Sequence, residues 1–295
     1  MGLSSTVLEA QLRTPRRGNK ATFFWRFRRN KLAVMGLGIV IVLVFIAAFA
    51  NFIAPTAYDV AVLSESRQFP SWSHWFGTDQ IGRDYLSRSL FGIRTSIMVG
   101  FGVQVIALTI GFTLGALGGY LGGWVDMIIV RIIEVATGIP SLLVAMFLMA
   151  FLGHSTWSVI FALGITGWVV ETRLTRGQFI AFRDREFVVA ARAIGASELR
   201  IAIIHIFPNV IPVIAVLVAF QIPAAIFNEA GLSFLGLGID EPTPSLGKMV
   251  STSLSYVRTY WHMGLFPSVL IALITLGFTF MGDGLRDALD PTMNR

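Results

Sequence analysis

SIMVGFGVQVIALTIGFTLGALGGYLGGW, residues 96–124, carries no charged side chain. A helix crossing the hydrocarbon core needs about 20 apolar residues, and this run is longer. Residues 32–54, LAVMGLGIVIVLVFIAAFANFIA, are uncharged too. A soluble domain has no use for two such runs, so the chain is read as an integral membrane protein. Composition agrees: 55% of residues are hydrophobic and 14% charged, against about 25% charged in soluble domains. The apolar runs lack the two-residue alternation of a membrane barrel, which leaves an all-α fold. With no cysteine in the chain, disulfides and thiolate metal sites are excluded.

Six spans are predicted, near 32–54, 97–121, 126–152, 157–178, 209–232 and 262–282. The net charge of +6 raises the question of nucleic acid, but its distribution points to a membrane. Arg13, Arg16, Arg17, Lys20, Arg26, Arg28, Arg29 and Lys31 precede the first span, opposed by Glu9. Cations before a first span mark the cytoplasmic side. With an even number of spans, both termini are then cytoplasmic. Phe23, Phe24 and Phe27 are expected on one face of a helix lying on the inner leaflet, in contact with lipid. Ala48-Phe49-Ala50 imitates a signal-peptidase site, but the apolar run exceeds the usual ~7–15 residues; an uncleaved first span is expected. The expected organisation is a basic N-terminus (1–31), a first span (32–54), an outer loop (55–95), a membrane core (96–285) and a C-terminal tail (286–295).

Gly111, Gly115, Gly119 and Gly123 recur every four residues, with Gly118 and Gly122 beside them. Small residues at that spacing share a helix face and admit a second backbone. Tight packing is the expectation, a flexible gating helix the rival. Pro140 and Pro223 are expected to kink their helices.

FVVAARAIGASELRIAIIHIFP, residues 187–208, is the polar, helix-prone exception between apolar runs. Gly195 suits the left-handed conformation that ends a helix. Ser197 is placed to cap a second helix from Glu198 towards Phe207, and Pro208 and Pro212 fit the first turn of the next span. Two short helices about a glycine suit docking against another protein. Arg173, Arg176, Arg183, Arg185, Arg192 and Arg200 put this insert, 179–208, on the cytoplasmic side.

Ionisable residues near a membrane are functional candidates. Arg131 and Glu134, three apart, are placed to pair. Glu171, Arg173 and Arg176 lie at the cytoplasmic end of the fourth span, where pairing and snorkelling outweigh a substrate role. Glu229, beside Asn228 and one helix stretch beyond Gln221, is a pathway candidate or a bond to a neighbouring subunit. Asp79, Arg83, Asp84 and Arg88 precede the second span. If helical, they pair as Asp79–Arg83 and Asp84–Arg88; the sharper alternative is a docking surface.

The pattern Ala190-Ala191, Gly195, Pro208 resembles the cytoplasmic EAA…G…P loop of ABC-importer permeases. Val189 stands where that consensus has glutamate, and His205 where it has isoleucine. FGTDQIGRDYLSRSLFGIRTS (76–96), EAGLSFLGLG (229–238), PSLGKM (244–249) and GDGLRDALDP (282–291) resemble, in order, blocks of the dipeptide/oligopeptide/nickel permease family, nearer its shorter subunit type. The resemblance implies a type I ABC-importer transmembrane domain in a bacterial inner membrane. It also implies a homologous permease, two ATP-binding subunits that hold ATP and magnesium, and an extracytoplasmic solute-binding protein. Val189, Ala190, Ala191, Gly195, Ser197 and Pro208 are the corresponding ATPase-coupling positions.

No catalytic or metal residues are expected on this chain. A phosphate-binding loop needs glycine, four residues, then Gly-Lys-Ser/Thr; around Gly247-Lys248-Met249 the first glycine is Pro242 and the hydroxyl is missing. Nothing matches His-Glu-x-x-His, and Ser233 lacks the nucleophile-elbow spacing. An ion-coupled secondary transporter is the rival, but paired repeats with broken helices and midplane ion ligands are not evident.

Overall fold

The computed structural model describes residues 19–289, and all its regular elements are helical. The N-terminal cations up to Arg17 and the last residues of the 282–291 block lie outside the described residues. Helix α1 (Asn19–Arg29) leads into α2 (Lys31–Ile53), whose start is capped by Asn30 accepting from the Ala33 amide at 3.1 Å. After a loop, Asp84 caps α3 (Tyr85–Leu121), accepting from the Ser87 amide at 2.7 Å. Then follow α4 (Gly123–Thr137), α5 (Ser141–Leu152), α6 (Thr156–Arg183) and α7 (Glu186–Ala193). Helix α8 (Glu198–Phe234), the short α9 (Leu246–Ser253) and α10 (Trp261–Leu289) complete the fold.

Side-chain bonds fix which ends meet. Tyr85 at the start of α3 donates to the Met263 carbonyl in α10 at 2.6 Å, and Arg94 reaches Asn51 near the end of α2. At the other end Tyr120 reaches Glu198 at the start of α8, and Asn30 donates to Asp287 near the end of α10. The Asp240 amide, beyond α8, donates to the His154 carbonyl between α5 and α6. The long helices therefore alternate in direction, with α1, α7 and the end of α10 together at one end.

Four helices, α2, α3, α8 and α10, are long and apolar enough to cross a membrane alone. The predicted 126–152 span is a broken pair, α4 and α5, bent by 79°. Gly138 and Pro140 interrupt the ladder there, since proline neither donates nor lets its predecessor stay helical. The predicted 157–178 span is α6, whose second half carries Glu171, Arg173, Arg176 and Arg183, so it falls outside that apolar set although it packs along α3 from Gly102 to Gly119.

The glycine ladder explains that pairing. A Cβ at Gly111, Gly115 or Gly119 would lie 2.4–2.6 Å from Glu171 Cβ, Thr175 Cβ or the Arg176 carbonyl. Two backbones in such contact gain dispersion that lipid does not supply, and the packing expectation holds for these three. Gly122 and Gly123 instead have φ of +66° and +55° and turn the chain into α4.

Two local expectations are corrected. Phe23 and Phe27 pack towards Leu285 and Ala288 of α10, but Phe24 points outward with Arg28 over its ring. Helix α8 runs on through Pro208, Pro212 and Pro223. Upstream of Pro208 the helix widens into π turns over Ile201–Ile206, where the Phe207 amide bonds the Ala202 carbonyl. Such widening accommodates a residue that cannot donate to i−4. The expected second short helix and the fifth span are one continuous helix.

Candidate coupling elbow and translocation cavity

Three places gather the functional candidates. The first is the elbow at α7. Its buried side chains, Val188 and Ala191, join Ile201, Ile206 and Phe179 in an apolar cluster at the base of α6 and α8. With that face anchored, Phe187, Val189 and Ile194 are left outward, Ile194 at 87% exposure. Gly195 has φ of +84° and its amide bonds the Arg192 carbonyl, ending the helix as its sequence predicts. Ser197 occupies the N-cap position of α8 with extended backbone, but its side chain makes no capping bond. Pro208 lies beyond the elbow, inside α8.

One brace at the elbow was not anticipated. Arg192 Nε donates to Glu198 Oε1 at 2.9 Å, and Tyr120 at the end of α3 donates to Glu198. The hydrogen bond it gives to Glu198 holds the pKa of the Arg192 guanidinium above its ordinary value. The brace ties α7, α8 and α3 at a solvent-facing point. Arg192 and Glu198 are six residues apart across a turn, a spacing no helix rule flags.

The second place is a cavity of about 420 Å³ where the α4–α5 break faces α3, α6 and α8. Gln221 and Asn228 line it, as do Gln104, Thr166, Glu171 and Arg173. Its size is that of a small-molecule site. Glu171 is fully buried, and Gln221 Nε2 approaches its Oε1 at 3.4 Å. That corrects the snorkelling expectation: Gly111 lets α6 approach α3 so closely that this carboxyl is held inside. Arg176 does pair, though with Asp126 of α4, at 2.6 Å through Nη2. The exposed Arg131–Glu134 pair forms at 2.5 Å.

Glu229 is not in this cavity. Its Oε1 accepts from Ser233 at 2.9 Å and Ser245 at 2.7 Å, fully buried within the subunit. The pathway and neighbouring-subunit alternatives for Glu229 thus give way to a staple between α8 and α9. Gly247, whose Cβ would lie 2.7 Å from Glu229 Oε2, makes room for it.

The third place is the cap opposite the elbow. Arg83 Nε donates to Asp79 Oδ2 at 2.6 Å and its Nη1 to Glu241 Oε2 at 2.6 Å. Arg88 Nη2 reaches both Glu241 oxygens at 3.1 Å, while its Nε lies 3.6 Å from Asp79. Burial pulls the Arg83 guanidinium down, but Asp79 and Glu241 outweigh it and hold its pKa above the ordinary value. The predicted Asp79–Arg83 pair is present, without a helix. The Asp84–Arg88 pair is not: Asp84 caps α3 and its Oδ2 accepts from His74 Nδ1 at 2.9 Å. All four side chains are enclosed, so they do not form a docking surface. Asp79, Arg83 and Arg88 form an internal latch whose remote member, Glu241, has no signal in the local sequence.

Comparison with known proteins follows this geometry. Residues 94–295 match the family of binding-protein-dependent transport system inner membrane components. Residues 21–71 match the N-terminal transmembrane domain of oligopeptide transport permease C. A dipeptide transport system permease protein of Alkalihalophilus pseudofirmus is 42% identical over 92% of this chain and 89% of its own. An oligopeptide transport system permease protein of Bacillus subtilis is 40% identical over 92% of this chain and 88% of its own. A glutathione transport system permease protein of Escherichia coli is 39% identical over 91% and 89%. Among solved structures, a chain of the MetNI methionine ABC transporter superposes with a TM-score of 0.53. It covers 68% of this chain and 93% of that one at 17% identity, which speaks to the fold alone.

Proposed function

Because this chain belongs to the family of inner membrane components of binding-protein-dependent transport systems, we propose that it is the peptide-translocating permease subunit of a bacterial ATP-driven importer. A homologous permease completes the pathway, two ATP-binding subunits dock at the elbow, and an extracytoplasmic binding protein delivers the peptide at the capped end. The elbow and both termini face the cytoplasm, in line with the cation-rich N-terminus and insert. Peptide as cargo is supported by the named relatives and by a cavity with polar groups on an apolar frame.

The elbow carries this reading. Its inner face is sealed into the bundle by Val188 and Ala191, and among the described residues its outer face leaves Val189 half exposed and Ile194 almost fully so. A short helix held that firmly, apolar outward, transmits a push without absorbing it. The cavity lies between that elbow and the latched cap, where tilting of α6 and α8 alters access to one side or the other. Closure of two ATPases moving two elbows would thus alternate the opening.

Co-purification tests it. The chain is expected to retain two ATPase chains, and Val189→Asp combined with Ile194→Asp to lose them together with ATP-driven uptake, while the membrane bundle stays folded. Uptake by that variant at the normal rate would refute the coupling role. Uptake stopped by a proton ionophore at undiminished ATP would favour the ion-coupled carrier.

A further inference from the structure

A buried charge in a membrane segment is retained only where something compensates it. Most such groups here have partners: Arg176 has Asp126, and Glu229 has two serine hydroxyls. Glu171 does not. It is completely buried, its Oε2 has no hydrogen-bond partner, and no cationic side chain among the described residues lies within ion-pairing distance. Its carboxyl is served by side-chain amides alone, through a long contact from Gln221 and a bond from Gln104. On the adjoining helix α3, Gln104 is 5% exposed and its Oε1 is also without a partner. Both residues line the 420 Å³ cavity at the α4–α5 break.

Two orphaned acceptors, one an acid, on neighbouring helices and in one polar cavity suit a multivalent donor that carries positive charge. An ammonium group has three N–H donors and no acceptor, so it can serve Glu171 and Gln104 at once. Gly111 fixes the position, since a side chain there would collide with Glu171 Cβ at 2.4 Å and force the two helices apart. The carboxyl is thus held by backbone packing, with no flexible stem to retract it.

We propose that Glu171 and Gln104 form a transit subsite for the amino-terminal ammonium group of the transported peptide. The inference rests on the peptide reading above and adds to it a place where the permease itself touches cargo. It also accounts for an unpaired acid in a span: the compensating charge arrives with the substrate.

The test uses the complete reconstituted transporter with its ATPases and binding protein. Initial uptake is measured for a neutral tripeptide and for its desamino counterpart, which lacks only the ammonium group, each saturating the binding protein. Dividing the variant's ratio of rates by the wild-type ratio cancels discrimination by the binding protein, which is the same in every arm. Glu171→Gln is expected to lower the wild-type preference for the free amine by about 10-fold, the worth of one charge-assisted hydrogen bond. Gln104→Leu is expected to move the ratio the same way, and it decides the matter should Glu171→Gln fail to assemble. An unchanged ratio in the assembled variants overturns the subsite while wild-type uptake still upholds the transport role. Loss of permease pairing in Glu171→Gln with an unchanged ratio in Gln104→Leu assigns Glu171 to the neighbouring permease and equally overturns it. A wild-type transporter that moves neither peptide fails at the earlier step, the peptide reading itself.

Discussion

At the cap, Arg83 and Arg88 are sealed against Asp79 with side chains 3–5% exposed, whereas at the elbow Arg192 and Glu198 meet in the open, 46% and 58% exposed. The same chemistry has opposite consequences. Buried ions with shared partners cannot separate without leaving a charge in a poor solvent, so the cap moves as one body. An exposed pair is screened by water and worth little to stability, so the elbow is oriented by its brace without being locked. The proposed coupling, with force entering at the elbow, would need that asymmetry.

The comparison is broken most severely at Asp79. Asp79→Ala strands Arg83 and Arg88 with one shared, half-exposed acid, and removes the acceptor of the Ile81 and Arg83 amides. A loss of about 3–5 kcal/mol is expected, read as a large drop in thermal midpoint of the detergent-solubilised complex. A midpoint within a degree of wild type would show the latch to be ornamental. Next comes the frame joining the two ends. Gly115→Val must push α6 away from α3, because the first added carbon already lies 2.6 Å from Thr175 Cβ. Overpacking of this kind costs about 1–3 kcal/mol, and lower yield of assembled transporter with an earlier melt is the expected result.

Smaller effects are expected at the elbow. Gly195→Ala meets no steric neighbour within 4 Å, so its cost is the left-handed backbone alone, about 1 kcal/mol. A correspondingly small change in the melt is expected, with looser protection of 187–208 from protease. Arg192→Ala sharpens the contrast furthest: no change in the melt is expected, yet binding-protein-stimulated ATP hydrolysis falls severalfold because α7 is no longer held to Glu198. Equal losses of stability at Asp79 and Arg192 would erase the distinction between the two ends.

Much of this architecture was legible from residue order. Uncharged runs gave α2, α3, α8 and α10; four-residue glycine spacing gave the close-packed face of α3, though not its partner α6; Gly195 gave the elbow's joint. Each is a local signal, set by solvent or by backbone conformation. Misreadings arose where a partner lay far along the chain. Asp79, Arg83 and Arg88 looked like a self-paired surface helix because Glu241, more than 150 residues away, leaves no trace near them. Glu229 looked like a pathway acid because Ser245 lies in another element. Pro140 and Pro208 carry the same ring, yet one breaks its helix and the other does not. The difference is a glycine two residues before Pro140, against a π-widened turn before Pro208. Glu171 was assigned to the helix end by its charged neighbours, whereas packing on Gly111 draws it inside.

The most direct measurement of force transfer through the elbow exploits the absence of cysteine from this chain. A single thiol introduced by Val189→Cys is expected to react with a membrane-impermeant reagent in inside-out vesicles holding the permeases alone, and to be shielded once the ATPase subunits are bound. Labelling from the opposite face, or labelling at the same rate with and without the ATPases, would contradict the account.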